Sequence, residues 1–221
     1  MEISDNDSPS TASSPGIRRD RFVGRTPEDV LQTVFGFHGF RSLQAKAVGN
    51  VMDGQDTLVL MPTGGGKSVC YQVPALCRPG MGLVISPLIA LMDDQVAGLR
   101  QLGINAAALH SELDEEESAK IRSDLAGGRV DLLYISPERL LSSGTLDRRV
   151  RIPLSVIGID EAHCISAWGH EVRPEYRALT ALPRNFPGVP RMALTATVDE
   201  RSREDILRGL EMAHADILAY R

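Results

Sequence analysis

The stretch at positions 58–68, LVLMPTGGGKS, constrains the fold of this 221-residue chain more than any other. A short apolar run is followed by three glycines, and Lys67 and Ser68 then open a segment with helical character. This order of strand, glycine turn and helix is typical of a phosphate-binding loop, because the glycines allow backbone N–H groups to converge on phosphate oxygens at a helix N-terminus. In such a loop Lys67 contacts the β- and γ-phosphates and the Ser68 hydroxyl binds Mg²⁺.

The loop departs from the strict pattern G-x-x-x-x-G-K-[ST] at one position, since Met61 stands where the first glycine belongs. A glycine-rich turn that merely precedes a lysine is therefore an alternative interpretation. An independent signal elsewhere in the chain is needed to choose between the two.

A pair of carboxylates provides that signal. The apolar segment 156–159 ends in Asp160 and Glu161, and two acids at the tip of a buried strand are costly unless a cation is bound there. We predict that Asp160 orients Mg²⁺ and that Glu161 positions and deprotonates the attacking water. The alternative is a pair of acids that begins a helix and complements its dipole.

Apolar strand candidates alternate with helical stretches from Asp56 onward. The strands are predicted at 57–61, 82–86, 106–109, 131–135, 154–159 and 191–194, and the helices between and after them at 69–76, 89–102, 115–126, 174–182 and 200–210. Two further helices are predicted before the first strand, one from Thr26 to about Gly36 and one from about Ser42 to Gly54. Continuously apolar strands separated by helices predict an α/β fold, a parallel sheet flanked by helices with ligands beyond the strand C-termini.

Composition limits the setting in which such a domain works. The net charge of −5 excludes a uniformly basic surface, so a polyanion must meet a local patch. Three cysteines are too few for a disulfide framework or a Cys₄ zinc site. No apolar run approaches a membrane span and no signal peptide is visible, so we expect a cytoplasmic protein without a membrane partner. Residues 1–21 are predicted to be a disordered tail before one domain at 22–221.

Taken together, these motifs resemble those of superfamily 2 helicases, and the segments around them resemble the RecQ family of ATP-dependent DNA helicases. The segment MPTGGGKSVCYQ (61–72) is similar to the family's phosphate-binding loop almost residue for residue, which accounts for the missing first glycine. The resemblance implies a RecA-like P-loop NTPase domain with ATP and Mg²⁺ as cofactors. It also implies that the phosphates and the metal are bound by Thr63, Gly64, Gly65, Gly66, Lys67 and Ser68.

The segment FGFHGFRSLQ (35–44) resembles the family's nucleotide-base motif. This resemblance implies that Gln44 reads the adenine edge and that Arg41 contacts the base or the phosphates. Phe37 would stack on the ring; the family often has tyrosine there, and phenylalanine keeps the stacking surface but lacks the hydroxyl.

Three further segments resemble parts of the family that handle single-stranded DNA, at 86–92, 134–140 and 160–176. The last, DEAHCISAWGHEVRPEY, is similar to the aromatic-rich loop that couples DNA binding to hydrolysis. There Trp168 would stack on a base, worth about 1–3 kcal/mol, although a buried core tryptophan is the alternative. Arg173 would pair with phosphate or contact a second domain, or it is a solvated surface arginine.

Three more residues are assigned to the same coupling role. His163 lies in the aromatic-rich segment, and Thr195 and Thr197 follow the apolar run that ends at Leu194. By itself the TAT triplet indicates only a turn or a helix cap. As a third strand tip at the same sheet edge, it is predicted to relay the nucleotide state to DNA.

The chain also departs from the family. Ala167, Val172 and Glu171 replace a usual glutamine, phenylalanine and aspartate, and Asp93 stands at a position that is commonly lysine. Family members carry a second RecA-like domain with an arginine finger, worth about 10³–10⁵ in rate. We therefore expect this chain alone to hydrolyse ATP slowly and not to unwind DNA without that domain, in cis or in trans.

The expected function is that of the first motor domain of a 3′–5′ RecQ-type helicase, an enzyme of DNA repair and recombination that acts on single-stranded or partial-duplex DNA. One alternative is a truncated fragment that binds nucleotide or DNA without turnover. Another is an RNA-directed or chromatin-type superfamily 2 ATPase. Rates of ATP hydrolysis with and without single-stranded DNA test the first alternative, which predicts no turnover above that of a Glu161→Gln control. Competition between single-stranded DNA and RNA for binding tests the second.

Overall fold

The structure, a computed structural model, describes residues 20–41, 43–62, 64–142, 152–166, 174–196 and 198–220. Its α-helices are α1 (Pro27–Thr33), α2 (Gln44–Met52), α3 (Lys67–Cys77), α4 (Ile89–Gln101), α5 (Glu115–Ala126), α6 (Pro137–Ser142), α7 (Pro174–Arg177), α8 (Leu182–Asn185) and α9 (Glu200–Gly209). Short 3₁₀ turns lie at Ala162–Ile165 and Ala178–Ala181.

The strands are β1 (Thr57–Leu60), β2 (Met81–Ile85), β3 (Ala106–Leu109), β4 (Leu132–Ile135), β5 (Leu154–Ile159), β6 (Arg191–Thr195) and β7 (Asp216–Ala219). They form one sheet in the order β3-β4-β2-β5-β6-β1-β7, and every pairing between them is parallel. The predicted α/β fold with a parallel sheet is therefore confirmed. Because all strands run in one direction, the C-terminal ends of β1, β5 and β6 lie side by side.

Helices cover both faces of the sheet. Because successive strand residues point to opposite sides, each strand contributes side chains to both core layers. Along β1, Leu58 and Leu60 pack into the core cluster that contains residues of α9, whereas Val59 packs into the cluster that contains residues of α1 to α4. All four residues of β1 are buried. A sheet buried on both faces requires continuously apolar strands, which is the pattern seen in the sequence.

One predicted helix is wrong. The stretch 174–182 was expected to be a single helix, but it forms α7, a 3₁₀ turn and the beginning of α8. Pro183 lies in the first turn of α8. A backbone N–H in that turn has no intrahelical acceptor, so the lack of one in proline costs no hydrogen bond. Pro183 can therefore begin α8, whereas inside a helix it would lose a hydrogen bond and clash with the preceding turn.

Strand β7 and helix α6 were not predicted. β7 pairs with β1 at the edge of the sheet, and of its residues only Leu218 is fully buried. An edge strand with one buried side chain has a weak hydrophobic pattern, so the sequence does not predict it.

The segment that leads into α1 is tied to the N-terminal edge of the sheet. The Asp20 carboxylate accepts a hydrogen bond from the Gly80 N–H at 2.8 Å, just before β2. Arg21 donates to the Gly103 carbonyl and forms an ion pair with buried Asp131 at 3.2 Å. Residues 1–19 of the predicted tail lie outside the described residues, so its boundary at residue 21 stays a prediction. In the described part of the chain, no helix is long and apolar enough to cross a membrane.

Candidate functional site

The glycine loop turns directly from β1 into α3. Gly64 and Gly66 have φ angles of 80° and 79°, in the left-handed region that favours glycine. A Cβ on Gly65 would lie 2.5 Å from the Met61 Cγ, so the side chain that replaces the expected first glycine packs tightly beneath the loop. The loop is shaped for close backbone approach at the N-terminus of α3. Thr63, predicted to bind phosphate, lies outside the described residues.

Gln44 contacts the glycine loop from the side of α2. Its Nε2 donates to the Gly66 carbonyl at 3.1 Å, and its Oε1 accepts from the backbone N–H of Arg41 at 2.7 Å. A Cβ on Gly66 would lie 2.4 Å from this Nε2. The predicted base-reading residue therefore touches the phosphate loop itself.

Phe37 and Arg41 are both exposed, in the part of the chain that precedes Gln44 and α2. The Phe37 side chain is 46% exposed, an unusually large exposure for a phenylalanine. An exposed ring of this kind is available to stack on a planar ligand.

Lys67 and Glu161 come together from two different strand tips. Lys67 is the first residue of α3, and its Nζ lies 3.8 Å from the Glu161 Oε1. The other carboxylate oxygen of Glu161 lies 3.2 Å from the His163 Nδ1, and that nitrogen is 3.0 Å from the Thr195 Oγ1. One contiguous cluster thus joins the ends of β1, β5 and β6, and it contains four of the predicted site residues.

The Glu161 backbone adopts an unusual conformation. Its φ of 49° and ψ of 45° fall in the left-handed region, which costs a residue with a side chain roughly 1–2 kcal/mol. Strain of this kind persists only where surrounding contacts hold it, and it is concentrated at functional sites. The turn aims the Glu161 side chain back at Lys67.

Asp160 sits at the tip of β5 and is almost fully buried. Its Oδ1 accepts a hydrogen bond from the Glu161 N–H at 3.0 Å, and the Tyr176 hydroxyl donates to its backbone carbonyl at 2.9 Å. Burial, and then the Glu161 charge, raise the pKa of the Asp160 carboxyl above its ordinary value, and the Lys67 ammonium partly opposes this shift. A bound cation would relieve the same penalty.

The residues that could hold Mg²⁺ are Ser68 and Asp160. Among the described residues, no group of three or more His, Cys, Asp or Glu side chains could hold a metal ion. Mg²⁺ takes one or two protein oxygens beside waters and substrate phosphates, and the buried Asp160 carboxylate and the Ser68 hydroxyl at the start of α3 are oxygen donors of that kind.

Replacing Asp160 by asparagine is expected to stabilise the Mg²⁺-free protein, because the variant removes a buried charge and keeps an oxygen for the Glu161 N–H. We expect a melting temperature higher by roughly 2–4 °C at pH 7.5, the scale of about 1 kcal/mol in a domain of this length. Thermal melts in EDTA measure this, with the exposed Asp94→Asn as control. An equal or lower melting temperature for Asp160→Asn contradicts the prediction.

The same substitution carries a pH dependence. Since the pKa of Asp160 is raised on folding, the folded protein binds more protons than the unfolded chain between the ordinary and the raised pKa. Wild-type stability therefore falls as the pH rises through that window. The higher melting temperature of Asp160→Asn relative to wild type should disappear at about pH 4, near the ordinary pKa of an aspartate carboxyl group.

The predicted DNA contacts are only partly described. Trp168, Arg173 and Thr197 lie outside the described residues, as do Ala167, Glu171 and Val172. In the predicted DNA segment at 86–92, the side chains of Leu88 and Leu91 near the start of α4 are exposed, at 43% and 37%.

Asp93, flagged as a departure near the DNA path, has a partner of its own. Its Oδ1 lies 3.1 Å from the Nε2 of buried His110, which follows β3. The carboxylate is therefore engaged at the tip of a neighbouring strand.

Three tyrosines near the site received no role from the sequence. Tyr176 holds the Asp160 carbonyl, and Tyr71 of α3 packs with its ring 3.3 Å from where a Cβ on Gly158 would lie. Tyr71 and Tyr134 stack edge to face at 6.4 Å. Buried tyrosines in apolar runs are typical of any protein core. The only sequence feature that distinguishes these three is that they lie inside the motifs.

Comparison with known proteins agrees with this geometry. A family model described as DEAD/DEAH box helicase matches residues 41–206. The chain is 47% identical over 187 residues to the ATP-dependent DNA helicase RecQ of Haemophilus influenzae, and 47% identical over 188 residues to that of Pasteurella multocida. It is 41% identical over 189 residues to the probable ATP-dependent DNA helicase RecS of Bacillus subtilis. These matches each cover 85% of this chain, but only 30%, 30% and 38% of the relatives.

Solved structures show the same fold at low sequence identity. A hypothetical ATP-dependent RNA helicase from Sulfolobus tokodaii superposes with a TM-score of 0.65 at 21% identity, over 87% of this chain and 57% of that one. The DUF1998 helicase MrfA bound to DNA and AMPPNP superposes with a TM-score of 0.69 at 17% identity, over 95% of this chain and 31% of that one. Both are similar in fold to the sheet described above.

Proposed function

The chain belongs to the DEAD/DEAH box helicase family and, within it, to the RecQ helicases, and from that premise we propose that it is the first motor domain of an ATP-dependent 3′–5′ DNA helicase. It spans about 30% of the RecQ relatives from Haemophilus influenzae and Pasteurella multocida. The enzyme class follows from the family. The bound nucleotide, the metal, the DNA and the cellular role are the content of the proposal.

The observation that carries the proposal is the convergence of Lys67, Glu161, His163 and Thr195 at adjoining strand tips. A lysine at a helix N-terminus beside a glycine loop suits nucleotide phosphates, and a glutamate directly opposite it suits a water that attacks them. Lys67 lies 94 positions before Glu161, and Thr195 lies 32 positions after His163, so their meeting is a property of the fold and not of one motif.

The residues have separate tasks in the proposed reaction. Backbone N–H groups of Gly64, Gly65 and Gly66 and the ammonium of Lys67 bind the phosphates of ATP. Ser68 and Asp160 would hold Mg²⁺, which would neutralise negative charge on the phosphates. Glu161 accepts the proton of the attacking water. Phe37, Arg41 and Gln44 recognise the base.

Lys67 and Glu161 face each other across 3.8 Å in the structure. Phosphates that enter the loop compete for the lysine and release the glutamate toward water. His163 bridges Glu161 to Thr195 and so connects the catalytic group to the tip of β6. We propose that this bridge reports nucleotide state to the DNA-binding segments, with Trp168, Arg173 and Thr197 as the DNA contacts.

Two partners complete the proposed function. Single-stranded or partial-duplex DNA is the substrate, in repair and recombination within the cytoplasm. A second RecA-like domain, in cis or in trans, completes the ATP site and the DNA track, and unwinding requires both domains.

The test is ATP hydrolysis by the 221-residue chain with and without single-stranded DNA, before and after addition of a second RecA-like domain from a RecQ relative. We expect slow hydrolysis alone and a rise of at least about 10³-fold when the second domain provides an arginine finger. Absence of turnover in every mixture favours a fragment that only binds nucleotide or DNA.

Choice of nucleic acid is a separate measurement. Unlabelled single-stranded DNA and RNA of the same sequence compete for the chain against a labelled DNA oligonucleotide. Stronger competition by DNA supports a DNA helicase, and stronger competition by RNA supports an RNA-directed ATPase of the same superfamily.

A further inference from the structure

A buried polar network lies beneath the nucleotide site, between α3, β4 and α4. It consists of Tyr71 and Gln72 of α3, Tyr134 of β4 and Gln95 of α4, and we call these four residues the tyrosine–glutamine network. The Gln72 Nε2 donates to the Tyr134 hydroxyl at 2.8 Å and to the Gln95 Oε1 at 2.9 Å. The hydroxyls of Tyr71 and Tyr134 are 3.4 Å apart.

Three of the four side chains are buried, and only Gln95 is partly exposed. Breaking one of these bonds leaves a polar group without a partner in the core, which is costly. Burial raises the pKa of Tyr134 to about 12, and it also raises the pKa of Tyr71 well above its ordinary value. Both hydroxyls therefore keep their protons at neutral pH and remain able to donate.

The network begins at the residues that meet the nucleotide. Lys67 and Ser68 form the N-terminus of α3, one turn before Tyr71 and Gln72. Tyr71 and Gln72 therefore belong to the same helix whose first residues face the phosphates. The Gln72 Nε2 extends the network from α3 to Tyr134 and Gln95.

The network ends at the two segments assigned to DNA. Gln95 lies in α4, whose N-terminal turn carries the exposed side chains of Leu88 and Leu91. Tyr134 lies in β4 and is the first residue of the second segment, 134–140. Apolar packing already holds α3 against the sheet. The hydrogen bond from Gln72 to Gln95 in addition fixes the distance and direction between α3 and α4.

We propose that the tyrosine–glutamine network is a positioning link that couples nucleotide occupancy at α3 to the affinity of the α4 segment for single-stranded DNA. This inference rests on the proposed function, since it requires both ligands to bind. Nucleotide that engages Lys67 and Ser68 shifts the N-terminus of α3, and Gln72 transmits that shift to Gln95. No other polar side-chain bond between α3 and α4 occurs in the described part of the chain.

The experiment measures coupling rather than activity. Affinity for a fluorescent dT₁₂ oligonucleotide is determined by anisotropy with and without AMPPNP and Mg²⁺, for wild type, Tyr134→Phe, Gln95→Leu and Gln95→Glu. We expect a wild-type ratio of at least about fivefold between the two affinities, the low end of known coupling. Tyr134→Phe and Gln95→Leu should bring the ratio close to one.

Gln95→Glu is the rescue variant, because its carboxylate still accepts from the Gln72 Nε2. Its negative charge weakens DNA binding equally in both nucleotide states, so its ratio should stay near the wild-type value. A residue that serves only stability would lower the melting temperature without changing the ratio. The ratio therefore distinguishes a positioning role from a packing role.

The outcomes separate this inference from the function on which it rests. Wild-type binding of both ligands with ratios that are equal in all four proteins, including a ratio of one, overturns the link and leaves the proposed function standing. Failure of wild type to bind AMPPNP or dT₁₂ overturns both. Loss of the ratio in Tyr134→Phe and Gln95→Leu, with its retention in Gln95→Glu, supports the link.

Discussion

Replacing Glu161 by glutamine is expected to reduce ATP hydrolysis by about 10²–10⁴-fold, the usual contribution of a general base. Glutamine has the same shape and its Oε1 can still face Lys67, which lies 3.8 Å from the glutamate in the native protein. What the variant loses is the carboxylate that accepts a proton from water. Affinity for ATP should therefore remain within about threefold of wild type, because the phosphate loop is unchanged.

The measurement is single-turnover hydrolysis with single-stranded DNA and a second RecA-like domain present, together with ATP affinity by calorimetry. Glu116→Gln, an exposed glutamate on α5, is the matched control and should hydrolyse ATP like wild type. Hydrolysis by Glu161→Gln within tenfold of wild type would assign the base to another residue.

Replacing Lys67 by alanine is expected to weaken binding of ATP with Mg²⁺ by roughly 10–100-fold, the value of a hydrogen bond from a charged group to phosphate. The ammonium is the cation at the N-terminus of α3, and it is only 13% exposed. Its removal takes away a charge that the helix dipole alone cannot replace. Its removal also leaves Glu161 with His163 as its one ion-pair partner among the described residues.

Calorimetric titration of AMPPNP with Mg²⁺ measures this effect, and circular dichroism confirms that the variant is folded. Lys120→Ala removes an exposed lysine of α5 and should bind like wild type. If Lys67→Ala binds nucleotide as tightly as wild type, the glycine loop is not the phosphate site.

The parallel sheet could be predicted because each central strand is buried on both faces. Leu132, Leu133, Tyr134 and Ile135 all lie in the core, so β4 appears in the sequence as an uninterrupted apolar run. β7 gave no such signal, since only Leu218 faces the core and its pairing with β1 is a long-range event. The sequence predicts one helix at 174–182, whereas the structure divides this stretch into α7, a 3₁₀ turn and the start of α8.

The candidate site could be predicted in its members but not in its contacts. Strand tips of a parallel sheet share one edge, so the proximity of Lys67, Glu161 and Thr195 follows from topology. The bridge through His163 Nδ1 depends on side-chain directions that a sequence does not specify. The hydrogen bond from Gln44 to the Gly66 carbonyl likewise links residues 22 positions apart through tertiary packing.

The order of strands in the sheet also has a consequence for how the protein is made. β1, which carries the phosphate loop, pairs only with β6 and β7 in the described sheet, and the Arg191–Asp56 contact beside it joins residues 135 positions apart. At a synthesis rate of about 5–20 residues per second, β1 waits roughly 7–30 seconds on the ribosome before its first strand partner is translated. The nucleotide site therefore matures last, and a nascent chain that ends before β6 should bind no ATP.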